Sequence, residues 1–166
     1  MKPFNPAEPA KTENRKRAVP IHPREIPDEA WSVYRDIRFS DCDPAGIVYT
    51  PRFIDIVNGT IEELFLKELR IDYHAMIQRD RVGLGYASVD TDFFRPALMG
   101  DRVSLTPLVA SVGRSSIVWN VHCVREITEI MRCRLVMVTT SLDTHQPISI
   151  PASLKTALLS YQDKCR

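Results

Sequence analysis

An α+β layer, an antiparallel β-sheet of about five strands wrapped around one long central helix, is the fold class this sequence predicts. Three observations predict it. One stretch from Thr50 carries apolar residues at helical spacing. Strand-like runs occupy most of the chain from Gly85 to Leu142. The connections between those runs are short turns, which favour antiparallel neighbours. One buried helix and one sheet then form two layers around a single core.

The first strand is expected in Val33–Phe39, where Val, Arg, Ile and Phe alternate with Tyr, Asp and Arg. Asp41 to Thr50 holds Asp, Pro and Gly in close succession and reads as a loop. Thr50-Pro51 should start the long helix, with Thr as N-cap and Pro at the first helical position. Phe53, Ile56, Val57, Thr60, Ile61, Leu64, Phe65 and Leu69 form its apolar set. A short helix is expected over Tyr73–Arg79. Gly85–Arg95 follows as a strand with Ala87, Val89, Thr91 and Phe93 on one side. After a turn at 96–101, Arg102–Val112 is strand-like but contains Pro107, so an edge or a bulge is expected there. Gly113-Arg114 is the next turn, and Ser115–Arg125 and Ile130–Leu142 are two more strands. Pro151–Tyr161 should be a terminal helix with Leu154, Leu158 and Leu159 on one side.

Ahead of this, residues 1–30 hold six of the twelve prolines and few large apolar residues. Such a segment cannot bury enough surface to offset its ordering entropy, so a flexible or extended arm is expected. Residues 31–166 form the domain. Arg15-Lys16-Arg17 reads as a solvated patch, with docking as the alternative.

Composition narrows the function classes. The chain has 166 residues, 44% hydrophobic and 26% charged, as in soluble globular proteins. A net charge of +1 argues against nucleic-acid binding by bulk charge. No apolar run reaches the ~18 residues a membrane span needs. The N-terminus lacks a secretory h-region and is too acidic for a transit peptide, so a cytoplasmic location is expected. Cys42, Cys123, Cys133 and Cys165 form no CxxC and no zinc-spaced set, so no metal is expected and all four should be thiols. Cys123 and Cys133 fall in strand runs and read as core; Cys165 should be exposed.

The stretch Asp41-Cys42-Asp43-Pro44-Ala45-Gly46-Ile47-Val48-Tyr49-Thr50-Pro51 carries the chemistry. It places two carboxylates in a loop that runs into a helix N-terminus, where backbone N–H groups are unpaired and partly positive. A carboxylate there can act as nucleophile or as base toward water, and the N–H groups can hold an oxyanion. On residue types alone, the same stretch more often means a turn and a cap.

Asp41–Pro51 closely resembles the signature of the 4-hydroxybenzoyl-CoA thioesterase group of hotdog-fold proteins. The first eight residues fit, as do Tyr49 and Pro51; Thr50 stands where the group has a second aromatic. Phe93-Phe94-Arg95-Pro96-Ala97 with Gly100-Asp101 resembles the group's later strand-turn, and the resemblance spans roughly Trp31–Leu142. It implies a hotdog domain that hydrolyses a small acyl- or aroyl-CoA, with CoA as part of the substrate and no separate cofactor. It implies Asp43 as nucleophile or general base and the Thr50 backbone N–H as the group that polarises the carbonyl. It implies Tyr49 and Gly46 beside the substrate, Gly46 for its backbone, and Arg114 against the CoA phosphates, with a solvated turn arginine as the alternative. Asp41 would brace the loop. Resembling proteins are dimers or tetramers, so at least a homodimer is expected.

Other acids and bases look structural. Glu62 and Glu63 read as polar-face residues of the helix, and His74 and His122 as isolated histidines. The competing functions are a hotdog hydratase or dehydratase, which would need a placed His, and a non-catalytic acyl-CoA-binding protein.

Overall fold

The structure, a computed structural model, describes residues 18–166. The docking patch proposed at 15–17 and the start of the arm lie outside the described residues.

Five strands form one antiparallel sheet: β1 (Val33–Asp36), β2 (Val82–Phe93), β3 (Arg102–Val112), β4 (Ser116–Arg125) and β5 (Thr128–Ser141). Their order is β1-β3-β4-β5-β2, so β2 and β1 are the edges. Helix α1 (Thr50–Lys67) buries Phe53, Val57, Thr60, Ile61, Leu64 and Phe65. These join Val103, Leu105, Ile117, Trp119, Val121, Met131 and Leu135 of the sheet in one core cluster. Every second residue of β3, β4 and β5 thus faces α1, as the pleat dictates. Phe65 meets Trp119 with ring centroids 6.3 Å apart. Two shorter helices complete the chain, α2 (Tyr73–Gln78) and α3 (Ala152–Lys164).

The expected elements are all present, with four local corrections. β1 stops at Asp36, because Phe39–Asp41 turns into a single 3₁₀ turn. A bulge between Tyr86 and Ser88 resets the phase of β2. Val89, Thr91 and Phe93 keep the side expected of them, opposite Leu135, Cys133 and Met131. Ala87 does not, and Tyr86 takes the helix side instead, where its Oη donates to Asn58 Oδ1 of α1 at 2.9 Å. On α3 the buried set is Leu154, Leu158 and Tyr161; Leu159 is exposed. Cys165 is half-buried beside α3 and not exposed, while Cys123 and Cys133 are core residues.

Pro107 sits in a strand with a neighbour on each side, yet locally it is at an edge. β1 pairs with β3 only over Arg102–Leu105 and ends before Pro107. Opposite Val121, the Pro107 carbonyl points away from β4 and accepts from Tyr161 Oη at 2.7 Å. The missing proline N–H shares that outward side, so no ladder bond to β4 is lost. Gln162 Nε2 covers the next carbonyls, of Val109 and Ala110. Helix α3 therefore takes over the edge of β3 where β1 stops.

Residues 18–30 of the arm are among the described residues and include a 3₁₀ turn at Pro23–Glu25. Ile21 N–H donates to Glu129 Oε2 at 2.8 Å, and Arg132 Nη2 donates to the Val19 carbonyl at 3.2 Å. This part of the segment is seated on the sheet through main-chain polar groups, which low hydrophobicity does not forbid.

Candidate active site

The loop before α1 is a miniature hairpin. Cys42 pairs with Val48, Asp43 N–H donates to the Ile47 carbonyl at 2.9 Å, and Tyr49 N–H donates to the Asp41 carbonyl at 2.9 Å. Gly46 closes the turn at φ +76°, the left-handed region that a side chain disfavours. No atom lies within 4 Å of where its Cβ would stand, so the demand is conformational and not steric. The hairpin is fastened to the 96–101 turn. Val48 N–H donates to the Ala97 carbonyl at 3.0 Å, and Met99 N–H to the Gly46 carbonyl at 3.3 Å. The two stretches that carry the family resemblance are thus one physical unit.

Asp41 and Asp43 sit in different surroundings. Asp41 is buried; its Oδ2 accepts from Arg38 N–H at 2.8 Å and its Oδ1 from Arg52 Nε at 2.9 Å. Burial pushes its carboxyl up, but the Arg38 N–H and the Arg52 guanidinium outweigh that and hold it below the ordinary value. It braces the loop, as expected. Asp43 is half-buried, its Oδ1 accepts from Ala45 N–H at 2.8 Å, and it has no ion pair among the described residues. Its second oxygen is left open.

Helix α1 starts one residue earlier in register than Thr50 as N-cap would have it. Tyr49 is the N-cap and makes no side-chain cap. Its carbonyl takes Arg52 N–H at 2.7 Å and Phe53 N–H at 3.3 Å. Pro51 has no N–H, and Tyr49 N–H is used by Asp41. Thr50 N–H, in the first turn of α1, has no acceptor among the described residues. The sequence thereby gathers the free donor of this helix end at Thr50.

A cavity of about 370 Å³ opens beside this point, lined by Thr50, Ile47, Phe53, Phe93, Phe94 and Arg95 among others. Phe53 and Phe93 meet in its wall with ring centroids 5.5 Å apart. Its size and apolar walls suit a small ligand with one or a few rings. Sequence reading noted Phe93–Ala97 only as a matching strand-turn; Phe53, three residues after Thr50 on α1, carried the signal for the wall.

Not every expected site residue converges. Asp43, Gly46, Tyr49 and Thr50 share the loop–helix junction, but of the four only Thr50 lines the cavity; Asp43 and Gly46 lie on the loop beside it, and Tyr49 is 57% exposed. Arg114 is exposed at the β3–β4 turn, at the opposite end of the sheet. The 11-residue β3 separates it from the 96–101 turn that holds the Asp43 loop, a span of roughly 33 Å. Glu62 is exposed, and Glu63 pairs with Arg35 and Lys67, so both are polar-face residues as expected.

His122 is not isolated. It is buried, with its Nδ1 2.7 Å from Glu129 Oε1, and Arg132 grips the same carboxylate. The six residues between His122 and Glu129 span the β4–β5 turn, which brings them together across two strands.

The family model described as the thioesterase-like superfamily matches residues 37–158. The chain belongs to the thioesterase-like superfamily. Among its relatives in that superfamily is a 1,4-dihydroxy-2-naphthoyl-CoA hydrolase from Crocosphaera subtropica, 28% identical over 134 residues that cover 79% of this chain and 97% of that protein. A hydrolase of the same description from Rippkaea orientalis is 35% identical over 72 residues, 43% of this chain and 51% of the relative. Among solved structures, a 1,4-dihydroxy-2-naphthoyl-CoA thioesterase from Synechocystis superposes with TM-score 0.72 at 20% identity, over 78% of this chain and 96% of that one. A gentisyl-coenzyme A thioesterase gives TM-score 0.70 at 21% identity, over 77% and 99%. These structural likenesses concern the hotdog fold that the superfamily shares. Among the described residues, no helix of this thioesterase-like chain is long and apolar enough to cross a membrane.

Proposed function

We propose that this chain hydrolyses a small aroyl-CoA thioester to the free acid and CoA. The observation that carries the reading is a Thr50 N–H without an acceptor among the described residues, at the tip of α1, in a residue that lines an aromatic-walled cavity and adjoins the loop that bears Asp43. The Crocosphaera relative, matched over nearly its whole length, is named for hydrolysis of such a thioester.

In this reading the acyl ring enters the cavity against the wall formed by Phe53 and Phe93, and the carbonyl oxygen accepts from Thr50 N–H. That donor is strengthened by the helix end and strengthens further as negative charge develops on the oxygen. The open oxygen of Asp43 then acts in one of two ways. As nucleophile it attacks the carbonyl carbon, the C–S bond breaks, the thiolate of CoA leaves, and water cleaves the resulting anhydride. As base it takes a proton from water, whose oxygen forms the new C–O bond while the thiolate leaves. Thiolate is a good leaving group, so neither route needs a metal. Single turnover in ¹⁸O-water separates them: in the nucleophile route, with water attacking the Asp43 carbonyl of the anhydride, the first acid is unlabelled and the ¹⁸O stays in the Asp43 carboxyl, whereas the base route puts the ¹⁸O in the acid.

Arg114 enters only through a second copy. We place the dimer contact at β2, a 12-residue edge strand. A two-fold axis through paired β2 strands reverses the sheet ends. It brings the partner subunit's Arg114 to the end where Asp43 lies, within reach of the CoA phosphates. The compartment we assign is the cytoplasm.

Thiol release across a panel of acyl-CoAs tests the reading. Aroyl-CoAs should be turned over, and Asp43→Asn should lower kcat by at least about 100-fold with the fold intact. An unchanged rate in Asp43→Asn sinks the assignment of that residue. No thiol from any acyl-CoA, with calorimetric binding retained, would make the protein an acyl-CoA binder.

A further inference from the structure

One buried polar cluster lies outside the acyl site. Glu129 is 1% exposed, and its carboxylate takes His122 Nδ1, Arg132 Nε and Nη2, and the main-chain N–H of Ile21. Arg132 in turn donates to the Val19 carbonyl. Two side chains of β5 thus hold the chain at residues 19–21 by its backbone. The proposed hydrolysis uses none of these groups.

The cluster stands directly behind the acyl cavity. The Arg132 guanidinium carbon is 5.7 Å from the centroid of the Phe94 ring. Phe94 N–H is itself fixed to the Ile130 carbonyl at 2.9 Å. A second cavity, of about 270 Å³, lies between residues 20–22 and the pair Phe94 and Arg95. The same two residues line the acyl cavity of about 370 Å³. They form a partition, with the acyl cavity on one side and the seated arm on the other.

A partition holds its shape only as firmly as what backs it. With the arm in place, Glu129 and the Val19 carbonyl fix the Arg132 guanidinium, which lies over Phe94, and residues 20–22 close the far side of the second cavity. Releasing the arm would break the Ile21–Glu129 bond and take one acceptor from Arg132, which frees the group that holds Phe94. With the arm released, the partition yields toward the second cavity and the acyl space enlarges.

We propose that residues 19–21, clasped by Glu129 and Arg132, brace the Phe94–Arg95 partition and set the upper size of the acyl group. The inference rests on the thioesterase reading above. Residues 19–21 are positioning residues; they do not reach the thioester. Ile21→Pro in the full chain removes the N–H donor and leaves every sheet residue unchanged, whereas Ile21→Val keeps the donor. Arg132→Lys loosens the clasp from the sheet side. The readout is kcat/KM for one-ring benzoyl-CoA and two-ring naphthoyl-CoA, by thiol release. Ile21→Pro and Arg132→Lys should raise the naphthoyl-to-benzoyl ratio by about tenfold, with Ile21→Val at the wild-type ratio. A purely structural role would lower both substrates together. If both loosened variants keep or lower the ratio while wild type turns over, the bracing is wrong and the thioesterase reading stands. If wild type releases no thiol from any acyl-CoA, that reading fails and the inference falls with it.

Discussion

Asp41 and Asp43 are two residues apart, and their surroundings separate them. Asp41 is enclosed, and both its oxygens are occupied by Arg38 N–H and Arg52. Asp43 keeps an oxygen open at the surface of the same hairpin. A carboxylate with full hydrogen bonding and a paired guanidinium is a poor base; one with a free lone pair is available. Asp41→Asn removes the charge that Arg52 pairs with, and the structure should lose about 2 kcal/mol. Because Asp41 also receives Tyr49 N–H through its carbonyl, loosening this hairpin should lower kcat about tenfold while KM changes little. Urea unfolding and steady-state kinetics on the variant check both expectations.

At the scale of elements, most of the site comes from where helices begin and strands end. The start of α1 leaves one N–H open because Pro51 has none and Tyr49 is committed to Asp41. The end of β1 leaves β3 uncovered at Pro107, and α3 supplies Tyr161 Oη to its carbonyl. Tyr161→Phe keeps the ring and removes the donor, so a buried carbonyl is left unmet. Stability should fall by about 1–2 kcal/mol, read as a melting temperature several degrees lower. The β4–β5 hairpin carries an acid-sensitive element. Burial pushes the Glu129 carboxyl up, but His122, Arg132 and the Ile21 N–H together hold it down at about 2, against 4.5 for a free glutamate. A depressed carboxyl stabilises the fold above its unfolded value, and that contribution is lost as pH falls through the window from 4.5 toward about 2. It amounts to roughly 3 kcal/mol at neutral pH. Glu129→Gln should therefore be less stable than wild type at pH 7 and should lose less stability on going to pH 3. Urea midpoints at the two pH values provide the check.

At the scale of the whole molecule, β2 is a 12-residue edge strand whose sheet neighbour is β5, with Val89 exposed on it. A long free edge invites pairing with another copy. Light scattering should give at least twice the chain mass of 18.9 kDa. Val89→Lys, which places a charge on that edge, should shift the protein toward monomer and weaken KM for the CoA part of the substrate, since the partner subunit's Arg114 would be lost. A strictly monomeric wild type would contradict the arrangement.

The sequence by itself determined the layer architecture, the long helix and its buried face, the Asp41–Pro51 loop and the terminal helix. These follow from local pattern: helical spacing of Phe53, Val57, Ile61 and Leu64, proline at a helix start, and glycine at a positive φ. Tertiary structure alone decided the rest. The partnership of His122 with Glu129 depends on two strands lying side by side, and the cavity wall on Phe53 and Phe93 meeting from different elements. The bulge that turns Tyr86 toward α1 shifts a pattern of period two without leaving a mark in composition. The seating of residues 19–21 uses backbone hydrogen bonds, and a backbone N–H is the same in every residue but proline. Contacts made between distant segments, or made by the main chain, have no spacing along the chain from which to be read.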